Sequence, residues 1–530
     1  MLFTSYEFIL FFGIILLLYY IIPGKFQWSF LLLASYTFYY FANPVYLVYI
    51  VATTITVFLT AKKIWRMKER FKIWYKENKK SFDKEQKKDI KEAEKKKEFR
   101  LMVFCLLFNF GILAVVKYTN FAISNVNSLF HFLGSSRKLS FVNMIVPMGI
   151  SFYTFQSIGY LIDVYYGKYD AEKNCFKFAL FVSFFPQLVQ GPISRFHELS
   201  KSLFEPHKAD RTNISFGLQR ILWGFFKKLV IADRIFPAVS TIATNTGTYK
   251  GVFVFAGMLF YALELYADFT GGIDITIGIA QTMGITVTEN FCRPYFSKNI
   301  KEYWRRWHIT LGTWFKDYVF YPVSVCLPMQ KISRFSRKYF GTEIGKRVVI
   351  WLSTFVVWFT TGIWHGASWN FIAWGIGNFA VIMISQELEP AYQWFHRKIP
   401  VAGKWYFCMF QIIRTIFLMS CLRMFDCYKS VPLTFKMFGR MFTGFRISDL
   451  TANAFLSLGL TGWDYLILAA GLLILVAVSV IQRKGSVRKQ IKKQKVFIQF
   501  LIWYGLFLAV LIFGAYGTGY DVSQFIYNQF

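Results

Sequence analysis

The sequence has few charged residues for its length. Only 17% of the 530 residues are Asp, Glu, Lys or Arg, against about a quarter in soluble globular proteins. By contrast, 55% of the residues are apolar, 21% are aromatic, and the mean hydropathy is +0.38. This composition argues against a soluble globular protein and predicts a chain that crosses a membrane many times.

Metal-binding and nucleophile motifs are also missing. The seven cysteines include no CxxC pair, and we expect them to be small buried apolar side chains. They are Cys105, Cys175, Cys292, Cys326, Cys408, Cys421 and Cys427. The GxSxG motif of a serine hydrolase is absent. We therefore expect neither a metal site nor a Ser-His-Asp triad.

Acidic residues are scarce: 61 Lys and Arg stand against 29 Asp and Glu, for a net charge of +32. In a soluble protein this excess would indicate nucleic acid as a partner. Here the basic residues cluster between apolar runs, where they set membrane topology. We therefore expect no nucleic-acid partner. No internal repeat is evident, which disfavours a secondary transporter.

Uninterrupted apolar runs recur along the chain, and about 11 to 13 of them approach the length of a transmembrane helix. Their polarity does not alternate, so they predict helices rather than strands of a barrel. The runs begin near residues 5, 27, 44, 101, 143, 214, 250, 348, 369, 405, 462 and 497. The sequence thus predicts an all-α polytopic protein, one membrane domain over 1–530, with additional re-entrant or interfacial helices.

Two basic segments predict the topology. Segment 62–100 holds 17 Lys or Arg and 8 Asp or Glu, and segment 483–495 holds seven basic residues and no acidic one. Positive segments stay in the cytoplasm, so we expect 62–100 to be a solvated cytoplasmic helix pair and 483–495 a cytoplasmic loop. With three spans before the first and one after the second, both termini should face outside. The N-terminal run lacks the features of a cleaved signal and predicts a retained first span.

His365 stands in "FTTGIWHGASWNF", residues 359–371, between two uncharged apolar runs. Ionisable groups inside a membrane protein usually face an interior cavity or a water path. Gly362 and Gly366 flank this histidine and permit close backbone approach or a helix break. A histidine simply packed between helices is the alternative.

His308 stands in the Trp-rich stretch "EYWRRWHITLGTWFKDY", residues 302–318. Its apolar residues recur at helical spacing, which predicts one amphipathic helix with His308 on the apolar face. The helix either lies at the membrane interface or directs His308 into a cavity. Two histidines without a metal or nucleophile motif indicate general acid–base chemistry.

Two further polar stretches interrupt apolar sequence. Asp268 and Asp274 lie in "LYADFTGGIDITIGIAQTMG", where polar bonds between closely packed helices are the simpler interpretation. Pro186, Gly191 and Pro192 break the run "FVSFFPQLVQGPISRF", which is typical of a re-entrant segment buried in protein.

Five collinear stretches resemble the membrane-bound O-acyltransferase (MBOAT) superfamily, in particular its bacterial branch that acts in alginate O-acetylation and teichoic acid D-alanylation. They are "FFPQLVQGPISR", "YADFTGGIDITIGIA", "ENFCRPYFSKNIKEYWRRWHITLGTWFKDYVFYP", "TGIWHGASWNFIAWG" and the terminal "FIYNQF". All but the last lie in a motif-bearing core, residues 184–375. The resemblance implies a ring of helices around a central funnel.

The resemblance also implies the site residues. His365 corresponds to the essential histidine of the family's WHG motif, and His308 to the second conserved polar position. We predict that six further residues bind substrate: Gln187, Asp268, Trp304, Arg305, Trp307 and Trp364. Trp369 is expected beside them in a dry aromatic wall.

The implied function is transfer of a short acyl group, acetyl, from a cytoplasmic thioester to hydroxyls of an extracytoplasmic envelope glycan. The donor is acyl-CoA or an acyl carrier protein, and no bound cofactor is expected. The resemblance implies the bacterial cytoplasmic membrane as location, membrane lipids as surroundings, and an extracytoplasmic esterase-like or acyltransferase partner. D-alanyl transfer to teichoic acid is an alternative, and a transporter with a histidine proton relay is the non-enzymatic one.

Overall fold

The computed structural model describes residues 3–401 and 403–516, and every regular element among them is a helix. This confirms the all-α class. The terminal "FIYNQF" stretch lies outside the described residues. The chain divides into two compact units, one formed by residues 1–214 with 280–288, the other by 215–279 with 289–530. The predicted core, 184–375, contributes to both.

The first unit contains eight helices among its described residues. They are α1 (Tyr6–Ile21), α2 (Gln27–Ala42), α3 (Tyr46–Asn78), α4 (Lys84–Phe132), α5 (Ile150–Tyr166), α6 (Cys175–Ser183), α7 (Phe185–Gln190) and α8 (Phe196–Leu203). α2, α3, α5 and α6 pack together and enclose a core rich in phenylalanine and tyrosine.

The basic segment 62–100 forms a helix pair, as predicted. It comprises the second half of α3 and the first part of α4, joined by a short turn at residues 79–83. Asp83 accepts a hydrogen bond from the backbone N–H of Gln86, and the Gln86 side chain accepts one from the Asp83 N–H, which caps α4. At 49 residues, α4 is about 70 Å long. It therefore extends well beyond the apolar run that begins near residue 101.

The predicted break in the run at 181–196 is present. α6 ends at Ser183, and the chain turns at Phe184 into the six-residue α7. Residues 178–194 are buried throughout. Within this segment the side-chain amide of Gln187 donates to Ser194 Oγ at 2.5 Å and its Oε1 accepts from Gln156 at 3.3 Å.

The second unit holds the remaining described helices. They are α9 (Arg211–Phe225, whose first turn belongs to the first unit), α10 (Asp233–Thr244), α11 (Val252–Thr282), α12 (Ile300–Arg306), α13 (Ile309–Phe315), α14 (Tyr321–Val325), α15 (Leu327–Phe340), α16 (Thr342–His365), α17 (Trp369–Glu387), α18 (Glu389–Lys398), α19 (Trp405–Tyr428), α20 (Val431–Phe442), α21 (Ala452–Leu456), α22 (Gly462–Ile481), α23 (Val487–Lys492) and α24 (Val496–Phe513). A π-helical segment, Phe226–Ala232, joins α9 to α10.

Seven described helices are long and apolar enough to cross a membrane, or eight if the bent pair α17–α18 is one span. The seven are α3, α4, α11, α16, α19, α24, and α22 with the turn that follows it. This is fewer than the 11 to 13 spans expected. The apolar runs near residues 5 and 27 form helices of 16 residues, and the run near 214 is divided by the π-helical segment. The length of an apolar run in the sequence does not show where a helix ends or where it changes to a π-helix.

Glycines allow α9 to approach α11 very closely. A Cβ atom at Gly271 would lie 2.9 Å from the carbonyl oxygen of Gly224, and one at Gly278 would lie 2.8 Å from that of Gly217. Any larger residue at these positions would push the backbones apart. Gly271 and Gly278 therefore permit the close packing of α9 on α11.

The π-helical segment carries two buried lysines that pair with carboxylates. Lys228 Nζ lies 2.6 Å from Asp268 and 2.7 Å from Asp233, while Lys227 Nζ lies 2.6 Å from Asp274. Both aspartates of the glycine-rich stretch thus hold α11 to the preceding helical segment. This agrees with the simpler interpretation of Asp268 and Asp274 as packing residues.

Candidate active site

His308 lies at a break between two short helices, not within a single one. α12 ends at Arg306, Trp307 is extended, and His308 has a left-handed backbone with φ of 49° before α13 begins. The expected continuous helix over 302–318 is therefore wrong. A left-handed conformation is rare for a residue other than glycine, so the Trp spacing on each side of the break did not reveal it. The break turns His308 inward, where its side chain is 3% exposed.

Asn290 fixes the orientation of the His308 ring. Its Oδ1 accepts hydrogen bonds from the backbone N–H of Thr310 at 3.1 Å and from the Thr310 hydroxyl at 2.9 Å, and it lies 3.3 Å from Nδ1 of His308. An oxygen that accepts from a backbone N–H pairs with a protonated Nδ1, which leaves the lone pair of the neutral ring on Nε2. Burial and the nearby positive charge of Arg423 lower the pKa of His308 to about 3. His308 is therefore neutral at pH 7.

His365 is the last residue of α16, and the chain bends back immediately afterwards into α17. The two helices meet at glycines: a Cβ atom at Gly362 would lie 2.6 Å from the Phe371 carbonyl oxygen, and one at Gly375 would lie 2.4 Å from that of Trp358. Gly362 thus permits the close backbone approach expected from the sequence. The tight α16–α17 pair holds His365 between the rings of Trp364, Phe371 and Trp374, at centroid distances of 5.1, 6.3 and 4.7 Å.

The two histidines contact the same indole. The Trp364 ring lies 5.1 Å from the His365 ring and 6.2 Å from the His308 ring. On its other side His308 packs edge-on against Phe269 of α11, at 5.0 Å. Residues far apart in sequence, on α16 and at the α12–α13 break, are thereby brought to one location within the second unit.

Trp304, Trp358 and Trp374 form an aromatic cluster beside His365. The Trp304 ring lies 4.7 Å from Trp358 and 5.9 Å from Trp374. Among the residues that the structure describes, none accepts a hydrogen bond from the buried indole N–H of Trp304 or of Trp374. Buried donors are normally satisfied, so these two N–H groups are unusual among the buried polar groups of the site.

Arg423 is a site residue that the sequence analysis did not identify. Its guanidinium, carried by α19, lies 5.0 Å from the centre of the Trp307 ring, 5.1 Å from Trp374 and 5.9 Å from Trp304. It also donates a hydrogen bond to Asp426 at 3.1 Å, and both charged side chains are almost fully buried. Two opposite charges three residues apart inside an apolar span were a signal that could have identified them.

The structure places the predicted substrate-binding residues in different surroundings. Trp304 belongs to the aromatic cluster, Trp364 contacts both histidines, and the Trp307 ring centre lies 5.0 Å from the Arg423 guanidinium. Arg305 is exposed, as is Trp369 of the expected aromatic wall, at 59%. Asp268 is engaged by Lys228, and Gln187 belongs to the first unit. The binding roles of all six stay predictions. In residues 3–401 and 403–516, His, Cys, Asp and Glu form no group of three or more that could hold a metal ion.

Comparison with known proteins places these features in a family. Residues 170–428 match the model of the MBOAT, membrane-bound O-acyltransferase family. A probable alginate O-acetylase of Azotobacter vinelandii is 30% identical over 73% of this chain and 69% of its own length. A peptidoglycan O-acetyltransferase of Helicobacter pylori is 28% identical over 57% of this chain and 58% of its own. A teichoic acid D-alanyltransferase of Bacillus subtilis is 28% identical over 48% of this chain and 62% of its own.

Proposed function

Because the chain belongs to the membrane-bound O-acyltransferase family and is a multi-pass membrane O-acyltransferase, we propose that it transfers an acetyl group to hydroxyls of an extracytoplasmic envelope glycan. The donor is a thioester presented from the cytoplasm. The observation that carries the proposal is the contact of both imidazoles, His308 and His365, with the single indole of Trp364. Two titratable rings at one buried position provide the groups that proton transfer in an acyl exchange requires.

His365 acts as the general base in this proposal. Its imidazole takes the proton of the acceptor hydroxyl as the oxygen attacks the thioester carbonyl carbon. The carbon–sulfur bond then breaks, the thiolate takes the proton from the imidazolium, and the new ester leaves with the glycan. His365 is half-buried, so part of its side chain is accessible to an acceptor. General-base assistance of this kind contributes roughly 10²- to 10⁴-fold in rate.

Neighbouring groups stabilise the charge that develops in this step. The indole N–H groups of Trp304 and Trp374 are buried donors, suited to the oxyanion that forms from the thioester carbonyl. His308, neutral with its lone pair on Nε2, accepts a hydrogen bond from a neighbouring hydroxyl of the glycan and so orients the acceptor. With the proton on Nδ1, Nε2 accepts a hydrogen bond and does not donate one, so His308 orients a reacting group and does not bind the carbonyl oxygen.

We propose acetyl and not D-alanyl as the acyl group because the alginate O-acetylases are more similar in sequence to this chain than the D-alanyltransferases are. The alginate O-acetylases are 30 to 37% identical to this chain, whereas the teichoic acid D-alanyltransferases are 28% identical.

Acyl-CoA and an acyl carrier protein both supply the required thioester. We place the protein in the bacterial cytoplasmic membrane with both termini outside, where an esterase-like partner docks and assists delivery to the glycan. Deletion of Phe525–Phe530 should then abolish co-purification of that partner while the protein still inserts in the membrane; unchanged co-purification would exclude a docking role for the tail.

The identity of the acyl group that is ester-linked to the glycan distinguishes acetylation from D-alanylation. Envelope glycans are isolated from cells with the intact gene, cells with the gene deleted, and deleted cells that carry the His365→Ala variant. Mild base releases the esters, and mass spectrometry identifies the released acids. We expect acetate from the first strain alone. Release of D-alanine instead would replace acetylation by D-alanylation, and equal acetate from all three strains would refute the proposed function.

A further inference from the structure

A cavity lies in the second unit, apart from the histidines. Its volume is about 630 Å³, within the range of small-molecule sites. The residues that line it come from α9, the π-helical segment, α11, the loop at 289–293, α22, α23 and α24. Nothing in the proposed transfer reaction uses this cavity, although Phe291 on its wall packs against Trp307 at 5.1 Å.

One end of the cavity is charged, and positive charge is in excess. Four cationic side chains line it, and two carboxylates: Arg220, Lys227, Arg293, Arg488, Asp274 and Glu289. The two carboxylates are already engaged. Arg220 holds both oxygens of Glu289 at 2.6 Å and one of Asp274 at 2.8 Å, and Lys227 holds the other at 2.6 Å. Arg293 and Arg488 thus give the cavity an excess of two positive charges.

The backbone at Arg293 is itself unusual. This residue has φ of 48°, one of three non-glycine residues with positive φ among those described. Such a conformation is unfavourable and persists where the surrounding structure enforces it. Arg488 is held on α23, where its guanidinium donates to the carbonyl oxygen of Phe216 at 2.6 Å. Arg293 and Arg488 thus line the same cavity, and two guanidinium groups suit the oxygens of a phosphate.

The other end of the cavity is apolar and is formed by two candidate membrane spans. α22 contributes Ile474, Leu475 and Val478, and α24 contributes Ile502 and Leu506. Both helices pack on the π-helical segment. Only 22% of the apolar window of the α22 span, and 6% of that of α24, is buried within the protein. Most of the apolar surface of these two helices is thus not covered by the described residues, and in a membrane it suits contact with lipid.

We propose that this cavity binds an anionic membrane lipid, with its phosphate between Arg293 and Arg488 and its acyl chains along α22 and α24. The amphipathic lining matches such a molecule, and a free phosphate would leave the apolar end empty. The basic segment 483–495, which includes Arg488, draws anionic lipid to the same place. The bound lipid ties α23 to α24 and to the loop that precedes α12. It takes no part in acyl transfer, and the proposal does not rest on the proposed function.

Lipid retention by the purified protein tests this site. The full chain is purified in detergent, incubated with equal amounts of phosphatidylglycerol and phosphatidylcholine, and analysed by native mass spectrometry. We expect one retained phosphatidylglycerol. Arg293→Gln and Arg488→Gln should each weaken its retention by about 10-fold, the effect of losing one charged hydrogen bond. Lys489→Gln is the matched control, because this neighbouring lysine is exposed and does not line the cavity.

A second variant fills the apolar end without disturbing the fold. A Cβ atom added at Gly505, which lines the cavity, meets nothing within 4 Å. Gly505→Leu should therefore fold normally, checked by its elution volume and thermal unfolding, and exclude the lipid. Equal retention of both lipids, or unchanged retention in all three cavity variants, would overturn the proposal. Displacement of the lipid by inorganic phosphate or by acetyl-CoA would also overturn it and assign the cavity to a free anion or to the acyl donor.

Discussion

The guanidinium of Arg423 stacks over the indole of Trp374, 5.1 Å from its centre. Trp374 in turn lies 4.7 Å from His365, so a buried cation on α19 supports the ring that borders the proposed base. A desolvated contact of this type is worth about 2 kcal/mol. Because Arg423 also lies 5.9 Å from the centre of the Trp304 ring, its guanidinium links α19 to both α12 and α17 at the site.

Arg423→Ala should destabilise the protein by about 3 to 5 kcal/mol, because it leaves the Asp426 carboxylate buried without its cation. The double variant Arg423→Ala/Asp426→Ala should lose less than the sum of the two single variants. Thermal unfolding in detergent measures both. Additive losses would show that the two charges do not stabilise each other.

His365→Ala should lower acyl transfer by roughly 10²- to 10⁴-fold, the usual contribution of a general base, and leave unfolding nearly unchanged. His131→Ala is the matched control, because His131 is exposed near the end of α4. The readout is ester formed per folded protein. A fully active His365→Ala variant would rule out the assigned base.

His308 combines a strained backbone with a positioned ring, and two substitutions separate these properties. Asparagine tolerates a left-handed conformation far better than alanine. We therefore expect His308→Asn to unfold near the wild-type temperature and His308→Ala below it, with transfer greatly reduced in both. Normal transfer by a stable His308→Asn variant would show that the imidazole has no role beyond its backbone position.

Trp374→Phe keeps an aromatic ring beside His365 but removes the indole N–H. Loss of one donor to an oxyanion costs about 10²- to 10³-fold in kcat, and we expect a loss of that order with little change in KM. Trp358→Phe, in the same aromatic cluster, reports the cost of a smaller ring alone. Equal losses in the two variants would contradict the donor role of Trp374.

Asp268→Asn should mainly affect folding, because the Asp268 carboxylate is 2.6 Å from Lys228 Nζ inside the protein. We expect a lower unfolding temperature and less folded protein, with transfer per folded molecule and KM both retained. Lys228→Met should be more damaging, since it leaves Asp233 and Asp268 buried together. A raised KM in a stably folded Asp268→Asn variant would instead support the predicted substrate-binding role.

The sequence identified the two histidines by their surroundings, since an ionisable residue among tryptophans and glycines is unusual in apolar sequence. It could not show the turn at His308. Helical spacing of Trp304, Trp307, Leu311 and Trp314 continues across the break, and positive φ at a histidine leaves no mark in the pattern. Arg423 and Asp426 were visible as charges in a span, but only packing shows that they contact the aromatic cluster.

The apolar runs by themselves determined that this chain is a helical membrane protein, because lipid requires each span to satisfy its own backbone. The resemblance of its motifs to the MBOAT superfamily indicated an O-acyltransferase. The tertiary structure alone decided which side chains meet. Trp364, Trp374 and Arg423 come from three different helices, and their contacts depend on helix positions that glycines such as Gly362 and Gly375 set. The spacing of apolar residues along one helix shows which residues share a face, but not how far that face lies from a neighbouring helix.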